Sequence, residues 1–163
     1  MKSILSVLVE NRAGILARTA GLFARRGFNI ESLAVGETSD PTVSRMTIVV
    51  DGDAGVIGQV EKQLNKQIDV IKVRSLDGGE TIRRELALIK VAVGAQNRGQ
   101  ITDITAIMKA NIVDLSPTTA TVEIADTPER VRQLLGLLEP YGIVEMARTG
   151  MVALQSGNNG IGE

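Results

Sequence analysis

Residues 4–30 read ILSVLVENRAGILARTAGLFARRGFNI. Ile4 to Val9 form a short apolar run that stops at Glu10-Asn11-Arg12-Ala13-Gly14. Such a run, bounded by turn residues, predicts a strand buried on both faces. Leu16, Thr19, Ala20, Phe23 and Ala24 then recur at helical spacing, with Arg18, Arg25 and Arg26 off the stripe. That predicts an amphipathic helix, closed by Gly27 and by basic residues that suit the negative end of the helix dipole. Phe28 to Val35 reads as a second strand.

Glu37-Thr38-Ser39-Asp40-Pro41-Thr42 is rich in turn formers, and Val43 to Val50 follows as a third strand. Asp53 can cap a second helix striped by Val56, Ile57, Val60 and Leu64. Ile68 to Val73 alternates and closes the unit as a fourth strand. The order β-α-β-β-α-β is the split β-α-β pattern of ferredoxin-like domains.

The pattern then restarts. Asp77-Gly78-Gly79-Glu80 is the best linker, and Glu85 to Val93 opens a new strand. Ile101, Ile104, Ile107 and Met108 mark a helix, and Asn111–Leu115 and Thr119–Ala125 are strands broken at Ser116-Pro117. Thr127-Pro128-Glu129 supplies a cap, a proline at the first helical position and an acid in the first turn of a helix striped by Val131, Leu134, Leu135 and Leu138. Gly142 to Leu154 reads as one last strand. Asn29-Ile30 falls where Asn111-Ile112 falls, and Ile68-Asp69-Val70 answers Ile143-Val144-Glu145. The expected class is α+β, a tandem of two βαββαβ units. The expected boundaries are 1–76, a linker at 77–84, a second unit at 85–155 and a mobile tail at 156–163. Units this small bury a limited share of their surface, so an oligomer is expected.

Composition narrows the chemistry. Lys and Arg total 18 and Asp and Glu 19 of 163 residues, for a formal net charge of −1. Cys, His and Trp are absent, and Phe23, Phe28 and Tyr141 are the only aromatics. Thiolate nucleophiles, imidazole bases, Ser-His-Asp triads and Cys/His zinc sites are therefore excluded. No catalytic residue and no metal site is expected. Balanced charge and scarce aromatics argue against nucleic acid. No apolar run approaches the ~20 residues of a membrane span, and the N-terminus lacks a cleavable signal pattern, so no membrane and a cytoplasmic location are expected.

The turn Asn11-Arg12-Ala13-Gly14-Ile15-Leu16 precedes the first helix. A helix start presents unpaired N–H groups that bind small anions, including an amino-acid carboxylate. Asn11 offers an amide donor and a carbonyl acceptor, which suits a zwitterion, and Asn29-Ile30 could add polar and apolar contacts. The plainer reading is that Asn and Gly simply make the turn and that Asn29 follows a helix end. Asp51-Gly52-Asp53 begins like a calcium loop but lacks its later oxygen ligands. Arg25-Arg26-Gly27-Phe28 lacks the paired aromatics of an RNA-binding sheet. Arg83-Arg84 reads as a solvated stretch at the linker, and Asp69 and Glu145 as possible surface residues.

The stretches Arg26-Gly27-Phe28-Asn29-Ile30-Glu31-Ser32-Leu33, Asp40 to Thr47, Asp114-Leu115-Ser116-Pro117 and Glu145 to Gly150 resemble the small regulatory subunits of acetolactate synthase (acetohydroxyacid synthase). The likeness covers nearly the whole chain apart from the glycine-rich tail. It implies that the N-terminal unit is an ACT domain that pairs side by side with a second copy. It implies feedback inhibition by valine in branched-chain amino-acid biosynthesis. The site is then formed by the loop of one chain and the second strand of the other. Asn11, Gly14 and Asn29 match those positions, with Ile15, Leu16 and Ile30 as neighbours.

By the same resemblance the partner is a large catalytic subunit that carries thiamine diphosphate, Mg2+ and FAD, with no cofactor in this chain. The alternatives are a free-standing amino-acid sensor with another partner, or an enzyme in its own right. Gln96-Asn97-Arg98-Gly99 and Asn111 make a degenerate second site conceivable, though a retained ancestral turn is the preferred reading.

Overall fold

The computed structural model describes residues 1–162. The chain forms two compact units: residues 1–82 with the described residues from 151 onward, and residues 83–150. The first unit runs β1 (Lys2–Glu10), α1 (Ile15–Arg26), β2 (Asn29–Glu37), β3 (Val43–Asp51), α2 (Ala54–Asn65) and β4 (Val70–Ser75). β5 (Thr81–Ala92) starts the second round: α3 (Arg98–Ile107), β6 (Asn111–Leu115), β7 (Thr119–Asp126), α4 (Pro128–Leu138), a 3-10 turn at Glu139–Tyr141 and β8 (Ile143–Arg148). β9 (Val152–Gln155) is the last regular element among the described residues. The fold is the expected α+β tandem of ferredoxin-like units.

Sheet order is β2-β3-β1-β4 in the first unit and β6-β7-β5-β8 in the second, antiparallel throughout. The repeat extends to irregularities. Register shifts fall between Ile30 and Ser32 and between Ile112 and Asp114, just after each Asn-Ile pair. They also fall where the last strand meets the first, at Leu8/Val9 and Lys90/Val91. Val9 pairs Val70 and Val91 pairs Ile143. The true counterpart of Ile143-Val144-Glu145 is therefore Val70-Ile71-Lys72, two residues beyond the match read from sequence. Ile68 lies outside the strand and is 90% exposed.

Leu5, Val7 and Val9 face the helices with Met46, Ile48 and Val50, and pack on Ile15, Leu22, Phe23, Ile57, Val60 and Leu64. Phe23 and Phe28 meet edge-on, with ring centroids 6.1 Å apart. The inward stripe of α1 is Ile15, Thr19, Leu22 and Phe23. Leu16, Ala20 and Ala24, expected inward, face out. Alanines carry little burial preference, so the larger Leu22 and Phe23 set the rotation. The second core joins Ala87, Ile89 and Val91 to Ile101, Met108, Val122, Ile124, Val131, Leu134 and Leu138. Both expected caps form: Asp53 accepts from the Val56 amide at 2.9 Å, and the Thr127 hydroxyl from the Arg130 amide at 3.4 Å.

β1 is buried on its second face too, at Ser6 and Leu8. The chain from Met151 to Gly160 crosses that face. The Met151 amide donates to Ser32 Oγ at 2.9 Å, Arg45 donates to the Ala153 carbonyl at 3.3 Å, and Arg74 donates to the Gly160 carbonyl at 2.8 Å. Ser32, Arg45 and Arg74 share that face by alternation from Val49, Leu8 and Ser6. Two expectations change here. The last strand is split, because Gly150 turns at φ +80°. The tail expected at 156–163 packs where it is described: Ile161 is 3% exposed, and the Ser156 amide donates to the Glu80 carbonyl at 2.8 Å. Glu163 lies outside the described residues. The expected linker is also shorter than 77–84, since β5 runs unbroken from Thr81 and carries Arg83 and Arg84.

Candidate functional site

The loop between β1 and α1 is braced from two sides. On one side the Asn11 amide nitrogen donates to Glu37 Oε1 at 3.2 Å and to the Pro41 carbonyl at 2.9 Å, while its backbone N–H donates to Thr42 O at 2.8 Å. That hairpin is itself ordered by Asp40, which accepts from the Thr42 amide and hydroxyl at 2.9 and 2.7 Å. The Thr42 hydroxyl, then its amide, hold the Asp40 carboxyl below its ordinary value. On the other side Glu10 N donates to Asp69 O at 2.9 Å, and the Arg18 guanidinium pairs with the Asp69 carboxylate. Asp69 is thus a buried brace rather than a surface acid, whereas Glu145 is exposed and only loosely paired with Lys90 at 3.7 Å.

Between these braces Gly14 takes φ +85° and ψ −7°, and α1 starts on it with no side-chain cap. Only glycine reaches this left-handed conformation without penalty. A Cβ here would meet nothing within 4 Å, so the space beside the helix start is open. The first turn of α1 holds no acid. Ile15 N reaches Arg12 O at 3.4 Å and Arg18 N reaches Gly14 O at 3.0 Å. Among the described residues the Leu16 and Ala17 amides have no acceptor. Two unpaired N–H groups at the positive end of a helix can hold a carboxylate.

The six expected site residues divide. Asn11, Gly14 and Leu16 gather at the start of α1, and Leu16 is 46% exposed. Ile15 turns into the core at 8% exposure, so it supports the loop and does not line it. Both amide hydrogens of Asn11 are engaged by Glu37 and Pro41. Its Oδ1 remains to accept a hydrogen bond, so Asn11 presents an acceptor alone and not the donor–acceptor pair read from sequence. Asn29 and Ile30 stand at the far end of α1, past its Gly27 cap, on the outer strand β2. Twelve helical residues span roughly 18 Å. The two halves of the candidate site therefore cannot meet on one small ligand within one chain.

Sequence reasoning missed Arg18, Asp69, Glu37 and Pro41. Only long-range contacts reveal them, and no spacing rule links Asn11 to Pro41.

The second unit carries the same frame without the opening. Thr19 and Thr105 are both buried and return hydrogen bonds to Ile15 O and Ile101 O at 2.9 and 2.8 Å, which aligns Asn97 with Asn11. Yet α3 begins at Arg98, so Gly99 and Gln100 lie inside the helix. Asn97 Oδ1 accepts from Gly94 N at 2.6 Å and closes its own turn.

Among the described residues no cluster of His, Cys, Asp or Glu is arranged to hold a metal. No helix among them is long and apolar enough to cross a membrane.

Comparison with known proteins adds family evidence. Residues 5–72 match the family described as an AHAS small subunit-like ACT domain, and residues 84–157 the family described as small subunit of acetolactate synthase. The chain is 50% identical over 158 residues to the acetolactate synthase small subunit of Mycolicibacterium smegmatis, covering 97% of this chain and 93% of that one. It is 45% identical over 159 residues to the isozyme 3 small subunit of Salmonella typhimurium, covering 97% and 98%. The crystal structure of the Thermotoga maritima acetolactate synthase small subunit superposes with a TM-score of 0.91 at 38% identity, covering 98% and 99% of the two chains.

Proposed function

This chain belongs to the acetolactate synthase small-subunit family, and on that premise we propose that it senses valine for a large catalytic subunit. Two copies pair through their outer β2 strands. Each valine lies between the α1 start of one protomer and Asn29-Ile30 of the other. Its carboxylate accepts from the Leu16 and Ala17 amides. Its ammonium donates to Asn11 Oδ1, with Asn29 of the second copy as a further polar contact. Leu16 and Ile30 enclose the isopropyl group.

The single observation that carries this reading is the open, Gly14-capped start of α1, braced on both sides and lacking an acid of its own. The large subunit would supply thiamine diphosphate, Mg2+ and FAD, and this chain would act in the cytoplasm on branched-chain amino-acid synthesis. A regulatory affinity near 0.1 mM corresponds to about −5.5 kcal/mol, well within reach of a ligand of valine's size. Inhibition needs a coupling of only about 1–3 kcal/mol between effector and catalytic partner.

Calorimetry with valine on wild type and Asn29→Ala tests the site. Weaker binding by the variant is expected, and equal affinity would remove Asn29 from it. Acetolactate formation from pyruvate, with and without this chain, tests the role. Stimulation reversed by valine is expected, and activity of this chain alone would overturn it.

A further inference from the structure

The segment after β8 returns to the first unit at a telling place. Ser32 lies just beyond the bulge that follows Asn29-Ile30, and its Oγ accepts the Met151 amide at 2.9 Å. Met151 follows Gly150, whose φ of +80° turns the chain out of the second unit. Thr149, one residue earlier, is tied to the second sheet: its amide donates to Leu86 O at 3.0 Å, and its hydroxyl accepts from Leu86 N at 3.1 Å. The segment then stays fastened to the first unit through Arg45 to Ala153 O, Ser156 to Glu80 O and Arg74 to Gly160 O, ending with the buried Ile161.

We propose that residues 151–162 form a strap that couples the valine-binding strand to the second unit, with the Ser32–Met151 hydrogen bond as the coupling contact. The proposal rests on the valine reading above. A displacement of β2 at Asn29-Ile30 reaches Ser32 within two residues. From there it passes to Met151 and, through Gly150 and Thr149, along the backbone to β8. Ser32 is a positioning residue: it acts through the strap and touches no ligand. A contact inside the strap path biases a distant equilibrium only if the two states differ in that contact, so its removal should uncouple without abolishing binding.

The test uses the full chain reconstituted with its large subunit. Ser32→Ala should keep the calorimetric Kd for valine within about twofold of wild type. It should raise the valine concentration for half-inhibition by about three- to tenfold, the worth of one hydrogen bond. Ser32→Thr, which retains the acceptor oxygen, should restore wild-type inhibition. Amide exchange at 151–161 should respond to valine in wild type and not in Ser32→Ala. Unchanged inhibition in Ser32→Ala overturns the coupling while leaving valine sensing intact. A parallel loss of binding and inhibition also overturns it, since Ser32 would then belong to the site. Failure of wild type to bind valine overturns the parent reading instead.

Discussion

Replacing Gly14 by alanine separates backbone strain from ligand binding. Gly14 stands at φ +85°, and a Cβ there meets no atom within 4 Å. The substitution therefore adds no clash, and its whole cost to the folded chain is the left-handed backbone, about 1–2 kcal/mol. For a chain of this size that lowers the melting temperature by roughly 2–8 °C. A domain stable by about 5–15 kcal/mol stays folded under that loss. Any fall in valine affinity is then local. The new methyl lies more than 4 Å from the amides of Leu16 and Ala17, yet it narrows the open space that a carboxylate bound to them would fill. A relaxation of residue 14 to negative φ would swing those amides away. Either event should weaken valine binding by at least about tenfold, or ~1.4 kcal/mol.

Gly157→Ala is the matched control, with φ +78° and open space around its Cβ. It should show a similar backbone penalty and unchanged affinity. Thermal melting and calorimetry on the three proteins give both quantities. If Gly14→Ala melts earlier yet binds valine as wild type does, the helix start is not the carboxylate's seat.

Removing Arg18 should act through Asp69, whose side chain is 8% exposed while that of Arg18 is 60% exposed. The exposed guanidinium contributes little by itself, but Arg18→Ala strands a buried carboxylate, so denaturation should show a loss of about 1–3 kcal/mol. Asp69→Asn added to Arg18→Ala should recover part of it, and a double variant no more stable than the single one would contradict the brace. The hairpin yields a pH prediction. Because the folded Asp40 carboxyl lies below its ordinary 3.8, it favours the fold above that value and loses this as pH falls through the depressed one. An NMR titration of Asp40 should have its midpoint below 3.8, and Thr42→Ala should move it upward. A midpoint at or above 3.8 in wild type would refute the hydrogen-bonding account.

Periodicity made the element order legible because strands and helices of a small sandwich must each bury one consistent face. Caps at Asp53 and Thr127 were legible because they depend on neighbours within three residues. Four things were not. The roll of α1 was misread because alanines and Leu16 lie beside the true stripe. The break at Gly150 hid inside an alternating run, since only its positive φ distinguishes a turn from a strand glycine. The Gly- and Asn-rich end reads as mobile by composition, but one apolar residue, Ile161, and backbone carbonyls reached by arginines fix it. Of the site, the loop and its glycine were visible. The braces from Asp69, Glu37 and Pro41 come from distant parts of the chain. They alone show that Asn11 keeps only its oxygen for a ligand.

The most direct test of valine held between two protomers is complementation in mixed dimers. Gly14→Ala damages the loop half of both sites, and Asn29→Ala the strand half of both. In a symmetric pair, a hybrid of the two places both lesions in one site and leaves the other whole. Co-refolding equal amounts should yield about half hybrids, and so recover roughly one in four wild-type sites. Calorimetry should then find valine binding at near wild-type affinity, at that reduced stoichiometry, in a mixture of two proteins that each bind poorly. No recovery would contradict the shared site.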